Sequence, residues 1–274
     1  MATTPILASP FGPEPFDEVP LPRAPLAQTL TQIRFPTQSA LALDDDDVAK
    51  ELARQLRPTY PVFNVETQFG VVITPEGATP TQEGARIWRL SSSDESWQLS
   101  FTANFLTLST SRYTSREDFC VRLGEAWNLF FDVVGKPVVQ RIGFRYINRV
   151  DEREFLDQLG AMVRPEVLGA TFAGGPVAPI ALSLTENHHV REGTDHLLAR
   201  WGLLPPGQTF DPFTLPPHPK TSWVLDLDSF REFGSPVASS SDIPEIVRDL
   251  SHAAYRYFRW AVTPEFLRFF GGDV

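Results

Sequence analysis

Apolar and polar positions alternate with a period of two along several short stretches of this chain, and with a period near 3.6 along two longer ones. The clearest alternation covers residues 138–150. Ile142, Phe144, Tyr146 and Val150 fall on one side of an extended strand, and Arg141, Arg145 and Arg149 on the other. Residues 26–35 read as a first strand, stopped by Pro36. Residues 66–74, 85–91, 97–102 and 105–111 read as hairpin strands, with a tight turn at Ala103-Asn104. Residues 178–190 and 196–204 read as a further hairpin. In residues 222–230, Trp223, Leu225 and Leu227 oppose Val224, Asp226 and Asp228.

The helical period appears first in Phe119, Leu123, Trp127 and Phe130. Thr114-Ser115-Arg116-Glu117 opens this segment as a capping box, and Gly135-Lys136-Pro137 closes it. It returns in Ile243, Ile246, Val247, Leu250, Ala254, Tyr257 and Phe258. The acidic run Asp44 to Asp47 stands before Val48, Leu52 and Leu56 as a helix start, because carboxylates suit the positive end of the helix dipole. Shorter helices are expected over 154–163 and after Thr263-Pro264-Glu265, since proline fits the first helical position.

These elements predict an α+β fold: a large antiparallel sheet packed against two long helices, with two loosely repeated halves. Each half runs from hairpin strands into a long amphipathic helix, giving boundaries of about 26–150 and 151–274 within a single domain, 26–274. Residues 1–25 carry seven prolines and no periodicity, so they are expected to form an extended arm.

Composition narrows the functional classes. The chain has 274 residues, 42% hydrophobic and 21% charged, ample for a core. A net charge of −10 argues against general nucleic-acid binding, which depends on neutralising phosphates. No apolar run is long enough to span a membrane. The start lacks the basic and apolar regions of a signal peptide, and the single Cys120 excludes an internal disulfide; a cytoplasmic setting is expected. Cys120 falls on the helix side expected to be buried, which favours a core role over that of a nucleophile.

Candidate chemistry gathers in five places. Arg141, Arg145 and Arg149 lie about 13 Å apart in sequence (four residues at roughly 3.3 Å each) and need water, carboxylates or an anion. Arg34 and Arg89 could join them. Asp226 and Asp228 share a strand face; they would either form cross-strand ion pairs with the arginines or, with a magnesium ion, take part in phosphoryl transfer. His188, His196 and Glu192 are the candidate metal ligands, although their spacing fits no established signature and solvated turn residues are the simpler reading. Trp260, Phe266, Phe269 and Phe270 are candidate interface residues, weighed against packing on the chain's own core. His252, on the second long helix, is weighed as a general base against a partly exposed polar-face residue. No phosphate-binding glycine loop or nucleophile elbow is present, no catalytic residue is assigned and no cofactor is expected.

Residues 26–35, 113–119, Gly143-Phe144-Arg145-Tyr146-Ile147-Asn148-Arg149 and Leu225-Asp226-Leu227-Asp228 together resemble a sporadically distributed bacterial protein family of unknown function, most specifically in the Arg-Tyr-Ile-Asn-Arg core. The resemblance implies a bacterial cytosolic protein. Scattered distribution implies an association with defence or toxin genes. It brings no catalytic residues. The expected function is a non-catalytic binding or partner-recognition protein, taking a protein partner, a second copy or a small anion. The alternative is a phosphate- or nucleotide-handling enzyme using the arginine row with Asp226 and Asp228.

Overall fold

The computed structural model describes residues 7–43, 46–68, 71–74, 77–80, 85–169, 179–191, 193–237 and 242–274. In chain order the elements are β1 (Leu26–Arg34), α1 (Ser39–Ala42), α2 (Asp47–Leu56), β2 (Val62–Gln68), β3 (Val71–Thr74), β4 (Gly77–Pro80), β5 (Ala85–Ser91), β6 (Trp97–Phe101) and β7 (Phe105–Thr110). Then follow α3 (Arg116–Val134), β8 (Val139–Val150), α4 (Arg153–Asp157), α5 (Leu159–Met162), α6 (Pro165–Leu168), β9 (Ser183–Val190), β10 (Asp195–Leu204), β11 (Ser222–Val237), α7 (Ile243–Ala261) and α8 (Pro264–Phe269). Nine strands form one large antiparallel sheet in the order β2-β5-β6-β7-β1-β8-β11-β10-β9, and β3 and β4 form a separate hairpin. The class is therefore α+β. Among the described residues no helix is long and apolar enough to cross a membrane.

Several boundaries differ from the sequence pattern. The segment expected as one strand over 66–74 is two, β2 and β3. β11 continues past Phe230 to Val237, where the side-chain alternation has already faded, because main-chain pairing does not require it. The cap of α3 is Ser115, one residue later than the expected box, and its hydroxyl accepts from the Asp118 N–H at 3.1 Å. Asp46 precedes α2 but does not cap it with its side chain. Instead its carboxylate accepts from Trp88 Nε1 at 2.9 Å and Arg86 at 3.0 Å; the Trp88 bond, opposed by some burial and helped by Arg86, holds it below the usual carboxylate range. Asp44 and Asp45 lie outside the described residues.

The chain divides into two compact units. One comprises Leu30–Gly143 and Glu232–Arg248. In it β5, β6 and β7 pair antiparallel, with Leu90 opposite Leu99 and Leu99 opposite Leu108. All three leucines are buried, and α3 adds Phe119, Leu123, Trp127 and Phe130 to the same core. Phe130 meets Phe35 and Phe101 at ring-centre distances of 5.4 and 5.7 Å. Each such side chain contributes about 1.5–3 kcal/mol by leaving water. Cys120 is buried in this helix, and burial pushes its thiol up, away from the reactive thiolate. Gly135 ends α3 at φ 101°, a left-handed conformation that glycine adopts without strain.

The other unit comprises Met1–Thr29, Phe144–Arg231 and Asp249–Val274. Its strands β9, β10 and β11 form an antiparallel meander. Gly202 in β10 permits an unusually close approach: a Cβ there would lie 1.8 Å from the Ser183 carbonyl oxygen. The core contains Phe155, Trp223, Phe258, Phe266 and Phe270. Arm residues 7–25 run against α7, α8 and the C-terminus. Val19 and Leu21 sit so near Gly272 that a Cβ on that glycine would meet each at 2.9 Å.

Candidate functional site

Register builds a row of alternating charges across the second unit. Arg200 in β10 stands opposite Glu186 in β9 on one side and opposite Asp226 in β11 on the other. Arg145 in β8 extends the row. Its Nε and Nη2 donate to the two oxygens of Asp226 at 2.6 and 2.8 Å, and its Nη1 donates to Asp211 at 2.8 Å. Arg200 donates to Glu186 and reaches Asp226 at 3.5 Å, with its guanidinium over the Phe210 ring. The sequence Glu186, Arg200, Asp226, Arg145, Asp211 thus alternates in sign throughout.

Asp211 comes from the proline-rich loop between β10 and β11. Its N–H donates to Thr209 Oγ1 at 3.1 Å, and that hydroxyl donates to the Leu215 carbonyl at 2.6 Å. These bonds within the loop help to shape it independently of Arg145. Burial opposes ionisation of Asp211, but the Arg145 hydrogen bond and charge win and hold its carboxyl below the usual carboxylate range. A carboxyl lowered in the folded state contributes stability above its unfolded value of about 4, and that stability is lost as pH falls through the lowered folded value. Wild-type protein should therefore exceed Asp211→Asn in stability at neutral pH, and the gap should close below about pH 4. Urea unfolding across pH measures it; a gap that persists undiminished at acid pH would mean the carboxylate charge is not what ties the loop.

Burial also acts on the pair at the centre. Asp226 is 1% exposed, and burial pushes its carboxyl up against the pull of Arg145 and Arg200. For Arg145, burial disfavours the charge, yet the bonds to Asp226 and Asp211 prevail and keep the guanidinium charged. All three nitrogens of the Arg145 guanidinium thus donate to carboxylates.

The remaining candidates fall elsewhere. Arg141 is half-buried and belongs to the other unit. Arg149 lies along β8 from Arg145. Burial lowers its affinity for the proton, opposed by Asp151, and its Nε and Nη2 are buried without a hydrogen-bond partner. Asp228 is half-buried beyond Asp226, opposite Leu198. The arginine side of β8 is not wholly polar, since Ile147 on it is fully buried. Arg34 is exposed and bonds to Gln32 at 2.6 Å, while Arg89 pairs with Glu66 at 3.0 Å and Gln98 at 2.9 Å. These two do not join the Arg145 row through any of those bonds.

His188 Nε2 and His196 Nδ1 lie 3.2 Å apart on the β9–β10 hairpin, so one imidazole donates to the other, and Phe230 stacks on His196 at 4.8 Å. Glu192 is outside the described residues. Among the described residues no group of three or more His, Cys, Asp or Glu side chains is placed to hold a metal ion. Of the aromatic interface candidates, Phe266 and Phe270 are buried in the core cluster described above. Trp260 is half-buried with Arg164 over its ring, and Phe269 is half-buried with Arg23 over it. Phe266 and Phe270 thus pack within the chain's own core.

A second constellation joins His252, a candidate general base by sequence, to residues that the sequence pattern did not single out. Along α7, His252, Tyr255, Arg256 and Arg259 recur at helical spacing and meet the arm. Tyr255 Oη accepts from the Val19 N–H at 2.7 Å and donates to the Val19 carbonyl at 3.4 Å. Arg256 donates to the Glu14 carbonyl at 2.6 Å and to its carboxylate at 2.9 Å. Arg259 donates to the Asp17 carbonyl at 2.5 Å. Phe16 lies between, with its ring 5.0 Å from His252, 5.9 Å from Tyr255 and 5.2 Å from the Arg256 guanidinium. The helical spacing of those four residues was legible; the arm as their counterpart was not. No protein-family model matches the chain and no curated protein matches it either.

Proposed function

We propose that the chain is a partner-recognition protein that binds an extended, proline-rich, acidic segment along α7. Its own arm occupies that surface as an internal ligand. The observation carrying this reading is that Tyr255, Arg256 and Arg259 grip main-chain groups of Val19, Glu14 and Asp17, while Phe16 supplies an aromatic anchor. Main-chain recognition of a pre-extended, proline-rich strand has a low ordering cost, which is how peptide-binding grooves use such ligands. A partner segment of the same chemistry would displace the arm. Phosphate handling has less support, because Arg145 is engaged by Asp226 and Asp211.

The reading includes a duplicated scaffold. β1 lies beside β7, the last strand of the first meander, and β8 lies beside β11, the last strand of the second. Each meander leads into a 19-residue helix, α3 or α7. This recurrence of order supports two related halves.

A labelled peptide spanning residues 8–22 tests the binding reading on the full chain. The tethered arm competes at an effective concentration on the order of millimolar, so wild-type protein should take up peptide poorly. A variant with Glu14→Ala and Phe16→Ala in its own arm should bind the wild-type peptide about tenfold more tightly than wild type does. The same peptide carrying Phe16→Ala should bind weakly. If the loosened variant, its arm open to protease, takes up no more peptide than wild type, the proposal fails.

A further inference from the structure

β9 is the last strand of the sheet order, with β10 as its sole neighbour among the described residues. It runs eight residues, Ser183–Val190, with no proline or glycine to interrupt it. A free edge of this length is a template for another strand unless side chains oppose pairing. Leu184, Glu186, His188 and Val190 share one face, and all four are exposed. Leu184 is 42% and Val190 71% exposed, which is unusual for two apolar residues flanking one edge.

We propose that β9 is a self-pairing edge and that its occupant is β9 of a second copy, antiparallel and centred on Asn187. The sequence of the strand carries the choice of occupant. In this register Leu184 stands opposite Val190 of the second copy, and Glu186 opposite His188 of the second copy. The twofold axis repeats both matches. Apolar meets apolar and carboxylate meets imidazole at each directly opposed position on that face. The neighbouring registers that keep the same faces together are poorer. Centring on Glu186 sets two carboxylates against each other, and centring on His188 sets Glu186 against Val190 and the two imidazoles together. A strand able to reject both neighbours of its best register has its pairing specified rather than merely permitted. The axis stands perpendicular to the sheet, so equivalent faces of the two copies lie on the same side. The arm meets β9 on its other face, where the Phe11 and His189 ring centres lie 4.9 Å apart, whereas the matches used here lie on the face of Leu184, Glu186, His188 and Val190.

Light scattering and sedimentation equilibrium on the full chain test this. Wild-type protein should dimerise with a concentration-dependent midpoint. Leu184→Lys alone, or Val190→Glu alone, should raise the dimer dissociation constant at least about tenfold. Both positions are exposed, so thermal stability of the monomer should be unchanged. The double variant should dimerise again, because each lysine then faces a glutamate of the second copy twice over, and that recovered dimer should weaken in salt. A wild-type chain that stays monomeric to its solubility limit overturns the proposal. So does a dimer indifferent to the single changes, or a double variant that fails to recover, since recovery requires this register.

Discussion

Replacing Asp226 with alanine should cost about 3–5 kcal/mol of folding stability, a large part of the roughly 5–15 kcal/mol that holds a fold of this kind together. The side chain is almost completely removed from water, and both its oxygens are occupied by the Arg145 fork. Taking it away leaves a buried guanidinium facing a void, with Asp211 as its single remaining anion. Arg200 suffers less, since Glu186 stays in place and lies more exposed. The cost should be read as a fall in urea midpoint at unchanged slope. A paired replacement, Arg145→Met with Asp226→Leu, should recover part of the loss, because two apolar side chains remove both desolvation penalties together, while Asp211 loses Arg145 and keeps the recovery incomplete. If Asp226→Ala shifted stability by less than about 1 kcal/mol, the pair would have to be solvated, like surface pairs of that worth, and its role as the fixed centre of the charge row would be lost.

The two members of that pair were visible in the sequence for the same reason: each stands on the polar side of a strand whose other side is strongly apolar. A cross-strand ion pair between them is one of the arrangements that such opposed faces allow. Arg200 was not visible, although it sits in a strand whose existence was expected. Its partners, Asp226 in β11 and Glu186 in β9, are set by strand register, and the close approach of Gly202 to Ser183 on the β9 side is a matter of backbone fit that no contrast of faces along β10 announces. Asp211 was still less accessible. A proline-rich loop announces itself through composition, but where its carboxylate lands depends on the Thr209 and Leu215 contacts that shape it and on the sheet beneath. The arm shows the same division. Seven prolines make an extended chain legible, whereas docking joins Val19 to Tyr255 across 236 residues of sequence. Spacing along α7 could have suggested a polar stripe at His252, Tyr255, Arg256 and Arg259, and only the fold supplies its counterpart. Asp46 is an instructive exception to a local rule. The helix-dipole argument located the start of α2, yet its carboxylate turned to Trp88 and Arg86, where two donors compete successfully with a cap.

Phe266→Ala should likewise cost about 3–5 kcal/mol, and its effect separates a core role from an interface role for the C-terminal aromatic residues. The ring is 0% exposed. It meets Phe155 edge-on at 5.4 Å, Phe258 at 5.6 Å and Phe270 at 4.9 Å, with Trp223 at 6.3 Å. These neighbours come from α4, β11, α7 and the residue after α8, so truncation opens a cavity bordered by four parts of the chain that cannot all collapse into it. Aromatic edge-to-face contacts add about 0.5–1.5 kcal/mol per pair beyond the area removed from water. The N-cap of α8 should suffer indirectly, because Thr263 Oγ1 accepts from the Phe266 N–H at 3.3 Å and donates to the Ala161 carbonyl at 2.7 Å, tying α8 to the end of α5. Phe266→Leu should cost far less, since it keeps most of the apolar volume. Unfolding midpoints measured at several protein concentrations make the distinction. A loss independent of concentration assigns Phe266 to the monomer core. One that grows with concentration would instead place the ring at a contact between copies, and it would then have to be exposed in the isolated chain, contrary to its burial here.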